Sequence, residues 1–117
     1  MTRAEFEIIK RIAEDLDISV IEYENDIDFE YYTTYNQDFY FTIQKAETLN
    51  DFAQNVYDYW QGYDVDEEAS YWIGEDGHGT NGAPYHISDI LKDMQECEDL
   101  LEKFWSKLYQ ENGKLAS

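Results

Sequence analysis

Apolar residues recur with a helical period at the start of the chain. In residues 3–16 they fall every three or four positions, at Phe6, Ile9, Ala13 and Leu16, and this spacing predicts an amphipathic helix. Thr2 and Glu5 have the spacing of a capping box, in which each side chain bonds the backbone of the other residue. We therefore expect the helix to begin next to Thr2.

The period changes to two in the following segment, which predicts three strands. Residues 18–24 are β-branched and aromatic, and residues 27–34 and 38–44 alternate between two faces. One face carries Ile27, Phe29, Tyr31, Thr33, Phe39, Phe41 and Ile43, and the other carries Asp28, Glu30, Tyr32, Thr34, Asp38, Tyr40 and Thr42. With a short turn at residues 35–37, the pattern predicts an antiparallel meander with one face on a core and the other in water.

Helical spacing returns in residues 49–60 and 87–110, with Gly62 and Gly113 as the expected helix ends. Between them, Asp64 is placed to cap a short helix whose first turn is acidic. Residues 74–84 contain four glycines and the only proline, and they predict a loop. The order α-β-β-β-α-α-α predicts one α+β domain spanning residues 1–117, with helices packed on one face of a three-stranded antiparallel sheet.

The distribution of charge sets this chain apart from an ordinary small domain. It contains 27 Asp and Glu residues against 8 Lys and Arg residues, a formal net charge of −19. Residues 12–91 hold a single cation, Lys45. Such an excess opposes compaction by self-repulsion, so a cationic partner or a salty medium is expected to offset it. The same charge argues against direct binding of nucleic acid or of an anionic membrane surface.

Sequence motifs for catalysis, cofactors and metals are missing. There is no Gly-rich phosphate loop and no Cys/His pair with metal-ligand spacing, so we expect no enzyme, no cofactor and no metal site. Cys97 lies at a core position of the last helix and is expected to be a small buried residue. His78 lies within the glycine-rich segment and His86 beside it, without a third ligand, and the residues from Asp76 onward lack the EF-hand spacing.

Location and assembly follow from weaker signals. One cysteine and no N-terminal apolar run are typical of a chain that works in the reducing cytoplasm, and no stretch is long enough to span a membrane. The chain is expected to be a monomer, or a homodimer in which Leu91, Leu100 or Trp105 of the last helix faces a second copy.

The solvated face of the meander is the leading candidate for a binding site. Carboxylates on one strand face repeat every ~6.7 Å, which corresponds to about every second phosphate along a DNA strand. Ordinary surfaces mix both signs of charge, whereas this region does not. Tyrosines beside the acids add contact area at low entropic cost. The predicted partner-binding residues are Asp26, Asp28, Glu30, Tyr32, Asp38, Tyr40, Asp58, Asp64, Asp66, Glu67, Glu68, Glu75 and Asp76.

A family resemblance adds to this expectation. The segment DYWQGYDVDEEASYWIGEDG at residues 58–77, followed by HGTNGAP, resembles small proteins carried by phages and mobile elements of Gram-positive bacteria. Several such proteins are DNA mimics that block restriction enzymes or CRISPR nucleases. Residues 32–75 are also similar to the acidic antirestriction family of conjugative elements. The resemblance implies an anti-CRISPR or antirestriction function and assigns no role to individual residues.

Two main hypotheses follow, and the sequence does not separate them. In the first, the protein inhibits a host defence nuclease by occupying its basic nucleic-acid-binding groove. In the second, it is an acidic interaction module, antitoxin-like or a regulatory subunit, with a basic protein partner unrelated to nucleic acid. A globular protein tuned to high salt fits the charge but not the high aromatic content. Enzymatic activity is also disfavoured, because the sequence lacks catalytic motifs.

Overall fold

The computed structural model describes residues 1–71 and 86–116, and their element order is the predicted α-β-β-β-α-α-α. The elements are α1 (Arg3–Asp15), β1 (Ser19–Glu22), β2 (Asp26–Tyr32), β3 (Asp38–Gln44), α2 (Leu49–Gln61), α3 (Val65–Tyr71) and α4 (Ile87–Ala116). The α+β class is confirmed. None of the helices in these two ranges has an apolar stretch long enough to cross a membrane.

Local side-chain bonds explain where the first helices begin and end. The predicted capping box is present, since the Glu5 amide donates to Thr2 Oγ1 at 3.1 Å and the Thr2 amide donates to Glu5 Oε1 at 3.0 Å. The second oxygen of Glu5 accepts from the Leu49 amide at 2.6 Å, so one carboxylate joins the starts of α1 and α2. Asp17 ends α1 with a left-handed φ of 62°, a conformation that Asp tolerates better than most residues.

The three strands form an antiparallel sheet in the order β1-β2-β3. The predicted turn joins β2 to β3 and is closed by Asn36 at φ 64°, with its amide bonded to the Thr33 carbonyl. β1 covers only four residues of the predicted 18–24, and β2 ends at Tyr32 rather than at residue 34. Thr33 lies outside β2 because its hydroxyl binds into the turn and into α4 instead.

The core lies between one face of the sheet and the helices, as predicted. Phe29 of the central strand is fully buried, and its ring centroid lies 5.1 Å from those of Phe41 and Phe104. Phe52 of α2 closes the same cluster at 6.4 Å. Aromatic rings from the sheet and from the helices therefore pack together at the centre of the core, and α4 contributes one of these rings, that of Phe104.

Two expectations for α4 are wrong. The helix continues through Gly113 to Ala116, because an isolated glycine costs only about 1 kcal/mol in a helix. Leu100 is 6% exposed and belongs to the core, so it is not available to face a second copy. Trp105 is half-buried, with its ring 5.7 Å from Trp60 and 5.3 Å from Tyr57.

Candidate protein-binding face

The sheet face that points away from the helices, called the open face below, follows from the strand register. Its cross-strand rows are Ile21–Asp28–Thr42, Ser19–Glu30–Tyr40 and Tyr32–Asp38, with Asp26 opposite Gln44 at one end. Ile21, Tyr32 and Tyr40 are each at least half exposed. No lysine or arginine occupies an open-face position of the three strands. The face therefore combines exposed apolar and aromatic surface with uncompensated carboxylates.

Asp28 does not present a free charge on this face, which corrects the sequence prediction. It is 8% exposed, and it accepts hydrogen bonds from the Tyr40 hydroxyl and, at 2.7 Å, from the Thr42 hydroxyl. The bond to Asp28, followed by desolvation, raises the pKa of Tyr40 to about 12. Asp28 is covered because it lies on the central strand, where neighbours from both sides close over it. Its role is to hold the Tyr40 ring in place.

Glu30, which is half-buried, and Asp38, which is exposed, form the acidic pair of the open face. Partial desolvation and the adjacent Asp38 carboxylate raise the pKa of Glu30. The charges of Glu30 and Asp38 also raise the pKa of Tyr32, which bonds Glu30. Two carboxylates held side by side favour a bound cation, since a cation would relieve their mutual repulsion. This is the strongest electrostatic feature among the open-face positions.

Two carboxylates of α4 fix the β2–β3 turn beside this face, and the sequence analysis missed both. Asp93 is fully buried and accepts from the Thr33 hydroxyl at 2.7 Å and the Tyr35 amide at 3.2 Å. Glu96 accepts from the Tyr31 hydroxyl at 2.5 Å and the Thr34 hydroxyl at 2.7 Å. The sequence offered one signal for these contacts, which is that the acid Asp93 stands next to Met94 within the apolar seam of the last helix.

The pKa values of these two acids shift in opposite directions, although burial acts the same way on both. Burial raises the pKa of Asp93, although the bonds from Thr33 and Tyr35 act against the shift. It also disfavours the ionised form of Glu96, but there the bonds from Tyr31 and Thr34 outweigh it and hold the pKa below its usual range. Glu96 is therefore the charged anchor of the turn, and Asp93 carries the cost of burying a carboxylate.

The cations of the described residues lie on the helix side. Arg3 and Lys45 both pair with Glu22 at 2.8 Å, which lowers the pKa of that carboxyl to about 2. Arg11 pairs with Glu111 at 3.2 Å. Because Glu22 stands opposite Ile27 in the register, its ion pairs form behind the sheet and leave the open face uncompensated.

Most of the remaining predicted residues lie outside the strands of the open face, although Glu68 of α3 lines a cavity together with Asp38 and Tyr40. Asp58 belongs to α2, and its carboxylate accepts from Gln54. Asp64 caps α3 as predicted, accepting from the amides of Asp66 and Glu67 at 3.0 and 3.2 Å. These four acids lie on the helical side of the molecule. Glu75 and Asp76 fall outside the described residues, as do His78 and the predicted loop at 74–84.

A cavity of about 230 Å³ opens beside the β3 edge. Most of the side chains that line it are aromatic or sulfur-bearing, and the full set is Gln37, Asp38, Phe39, Tyr40, Tyr59, Tyr63, Glu68, Met94 and Cys97. Burial raises the pKa of Cys97 to about 12, so its thiol stays protonated, in keeping with the predicted core position. Desolvation, followed by the charge of Glu67, raises the pKa of Glu68.

Metal chemistry finds no support in the described part of the chain. Within residues 1–71 and 86–116, no three His, Cys, Asp or Glu side chains come together as a metal site. Of the two histidines, His86 is described and lies exposed at the start of α4.

The chain was compared with protein-family models, with curated proteins and with solved structures. No family model, curated protein or solved structure matches it.

Proposed function

We propose that this protein is a non-catalytic inhibitor that binds the basic nucleic-acid-binding groove of a host defence nuclease, of the CRISPR or restriction type. The observation that carries the proposal is the open face of the sheet, where Glu30 and Asp38 stand side by side among exposed tyrosines with no cation on the face. A groove that binds phosphates is lined by Lys and Arg, so it complements such a face.

The tyrosines give the face more than charge. The Tyr40 ring is half exposed and is held by the Asp28 carboxylate, while Tyr32 is 57% exposed and bonds Glu30. Tyrosine contributes large contact area with few rotatable bonds, and its ring accepts a guanidinium through a cation–π contact. A partner that presents arginines would therefore meet both carboxylates and ring faces.

The mechanism is competition. The inhibitor fills the groove, screens its positive potential and keeps DNA or RNA out, while its own charge prevents it from binding nucleic acid. Such an inhibitor acts where its target acts, in the cytoplasm. This role does not require Cys97 to form a disulfide bond with another thiol.

Affinity capture from a bacterial lysate, followed by competition, tests the proposal. The captured protein should be a nuclease or its guide complex, and added DNA should release it from the immobilised inhibitor. Rising salt should weaken the complex steeply, because charge pairs at a polar surface are screened. Capture of a basic protein that DNA does not release would favour an interaction module instead. Direct DNA binding by the chain would contradict both functions.

A further inference from the structure

The register determines which main-chain amides and carbonyls of β3 point toward β2 and which point away from it. Paired residues in an antiparallel ladder alternate between exchanging two hydrogen bonds and exchanging none. The Thr33 amide bonds the Gln37 carbonyl at 2.9 Å at one end of the β2–β3 ladder, and the Lys45 amide bonds the Asn25 carbonyl at 2.9 Å at the other. Odd-numbered residues of β3 therefore bond β2, and the amides and carbonyls of its even-numbered residues point outward.

Among the described residues, no main-chain hydrogen bond reaches the outward edge over the first half of β3. The sheet of the described residues ends at β3, so no described strand lies beyond the outward groups of Asp38, Tyr40 and Thr42. At the far end, Asn55 of α2 donates its side-chain amide to the Gln44 carbonyl at 3.0 Å, which agrees with the assigned direction and closes that end.

The cavity of about 230 Å³ lies along the same half of β3. The side facing the helices is largely apolar, with Phe39 edge-on against Tyr63 at 5.7 Å and Met94 accepting from the Tyr63 hydroxyl at 3.5 Å, and Glu68 of α3 also lines it. The other side of the strand is the open face, with Asp38 and Tyr40. A chain lying along this edge would therefore meet an apolar wall on one side and carboxylates on the other.

We propose that this edge takes up an extended segment of the partner protein as a fourth strand, with basic residues alternating with apolar ones. Side chains of an added strand alternate between the two faces of the sheet. Apolar ones would enter the cavity opposite Phe39, and basic ones would face Asp38 and Glu30. The proposal rests on the proposed function insofar as that function makes the partner basic. A second copy of this chain is a poor occupant, because edge pairing would bring two acidic open faces together.

Nuclear magnetic resonance on the ¹⁵N-labelled protein tests this directly, with the peptide (Arg-Val)₄ as the probe. The amides of Asp38, Tyr40 and Thr42 should exchange rapidly in the free protein and slow by about tenfold or more on binding. The amides of Phe39 and Phe41, already bonded to β2, serve as internal references. Two control peptides are needed. The first is (Arg-Val)₄ with every second amide N-methylated, which keeps the charge but loses the main-chain donors on one edge. The second is the block peptide Arg₄Val₄, which keeps the composition but loses the alternation of basic and apolar residues.

Protection by (Arg-Val)₄ that fails with both control peptides supports strand addition. Equal binding of all three peptides, with resonance shifts at Glu30 and Tyr32 but no protected edge amide, overturns strand addition and leaves the proposed function intact. Failure of all three peptides to bind also overturns strand addition. The competition experiment with the captured nuclease then tests the proposed function separately. Protection of the β1 amides of Val20 and Glu22 instead would place the added strand on the wrong edge.

Discussion

At the scale of single residues, the sequence pattern does not predict the surroundings of two carboxylates, Asp28 and Asp93. The pattern predicted the correct sheet face for Asp28. It did not predict that Asp28 is buried, because its burial depends on neighbours from two other strands. Asp93 gave no pattern signal except that it interrupts an apolar seam. Both acids are bonded by hydroxyls from residues distant in the chain, Tyr40 and Thr33, and such contacts are not visible in local sequence.

Asp93→Ala should lower the free energy of unfolding by about 1–3 kcal/mol, since it leaves buried donors from Thr33 and Tyr35 without an acceptor. Asp93→Asn keeps an acceptor oxygen and should cost less. Burial raises the pKa of Asp93 above its ordinary 3.8, so ionisation there lowers stability as the pH rises past that value. Relative to the wild type, the Asn variant should therefore gain stability from pH 3.8 upward in urea denaturation. Equal losses in both variants at every pH would contradict this account.

Asp38→Asn should raise stability at pH 7, because it removes the charge that faces Glu30. The raised pKa of Glu30 should move back toward its ordinary 4.5, as followed by carboxyl carbon shifts in a pH titration. The gain should vanish at a pH well below 4.5, where the Glu30 carboxyl with its raised pKa is protonated and no longer repels a charge at position 38. Glu47→Gln, at another exposed acid, removes the same charge and serves as the control. An unchanged Glu30 pKa would mean that the pair is not coupled.

At the scale of elements, periodicity and capping residues predicted nearly all the helices and strands and the order in which they occur. Thr2, Glu5 and Asp64 act as predicted because caps are local. The end of α4 was missed because Gly113 was given the weight of a stop signal, although its φ lies outside the left-handed range that a glycine terminator uses. The shortening of β1 follows from pairing with β2, which a single strand does not reveal.

Gly113→Ala should stabilise the protein by about 0.5–1 kcal/mol through helix propensity. Nothing lies within 4 Å of an added Cβ at this position, so no clash opposes the gain. Gly62→Ala is the comparison, because Gly62 caps α2 and its added Cβ would meet the carbonyls of Asp58 and Tyr59 at 3.6 Å. Thermal unfolding should show the larger rise for Gly113→Ala. A loss of stability there would contradict a continuous α4.

Leu101→Ala tests the position of α4 over the sheet. Leu101 is fully buried, so its truncation should lower the free energy of unfolding by about 2–5 kcal/mol. Leu91→Ala is the control, since Leu91 is 39% exposed and should cost well under half as much. Equal costs measured by urea denaturation would mean that α4 packs with a different face.

At the scale of the whole molecule, composition predicted an acidic surface but not its arrangement. The register separates the charges: Arg3 and Lys45 pair behind the sheet with Glu22, and the open face keeps its acids unpaired. This separation needs the order of the strands and the packing of the helices, both of which are tertiary. The edge of β3 and its cavity likewise arise only once α2 and α4 are in place.

Self-repulsion within a chain of net charge −19 should make the fold more stable in salt. The melting temperature should rise between low ionic strength and ~0.3 M NaCl, as the Debye length falls below the spacing of the charges. Differential scanning calorimetry across this range measures the change. A flat or falling melting temperature would mean that the acids are already compensated within the chain.

The central claim is that the open face excludes nucleic acid from a basic groove, and matched charge reversals test it most directly. Glu30→Lys with Asp38→Lys changes the open face, and Asp99→Lys with Glu102→Lys changes the exposed side of α4 by the same net charge. The measurement is inhibition of DNA cleavage by the captured nuclease at fixed salt. The open-face variant should lose inhibition by at least about tenfold, which is about 1.4 kcal/mol, while the α4 variant stays close to the wild type. Equal loss in both variants would contradict the claim.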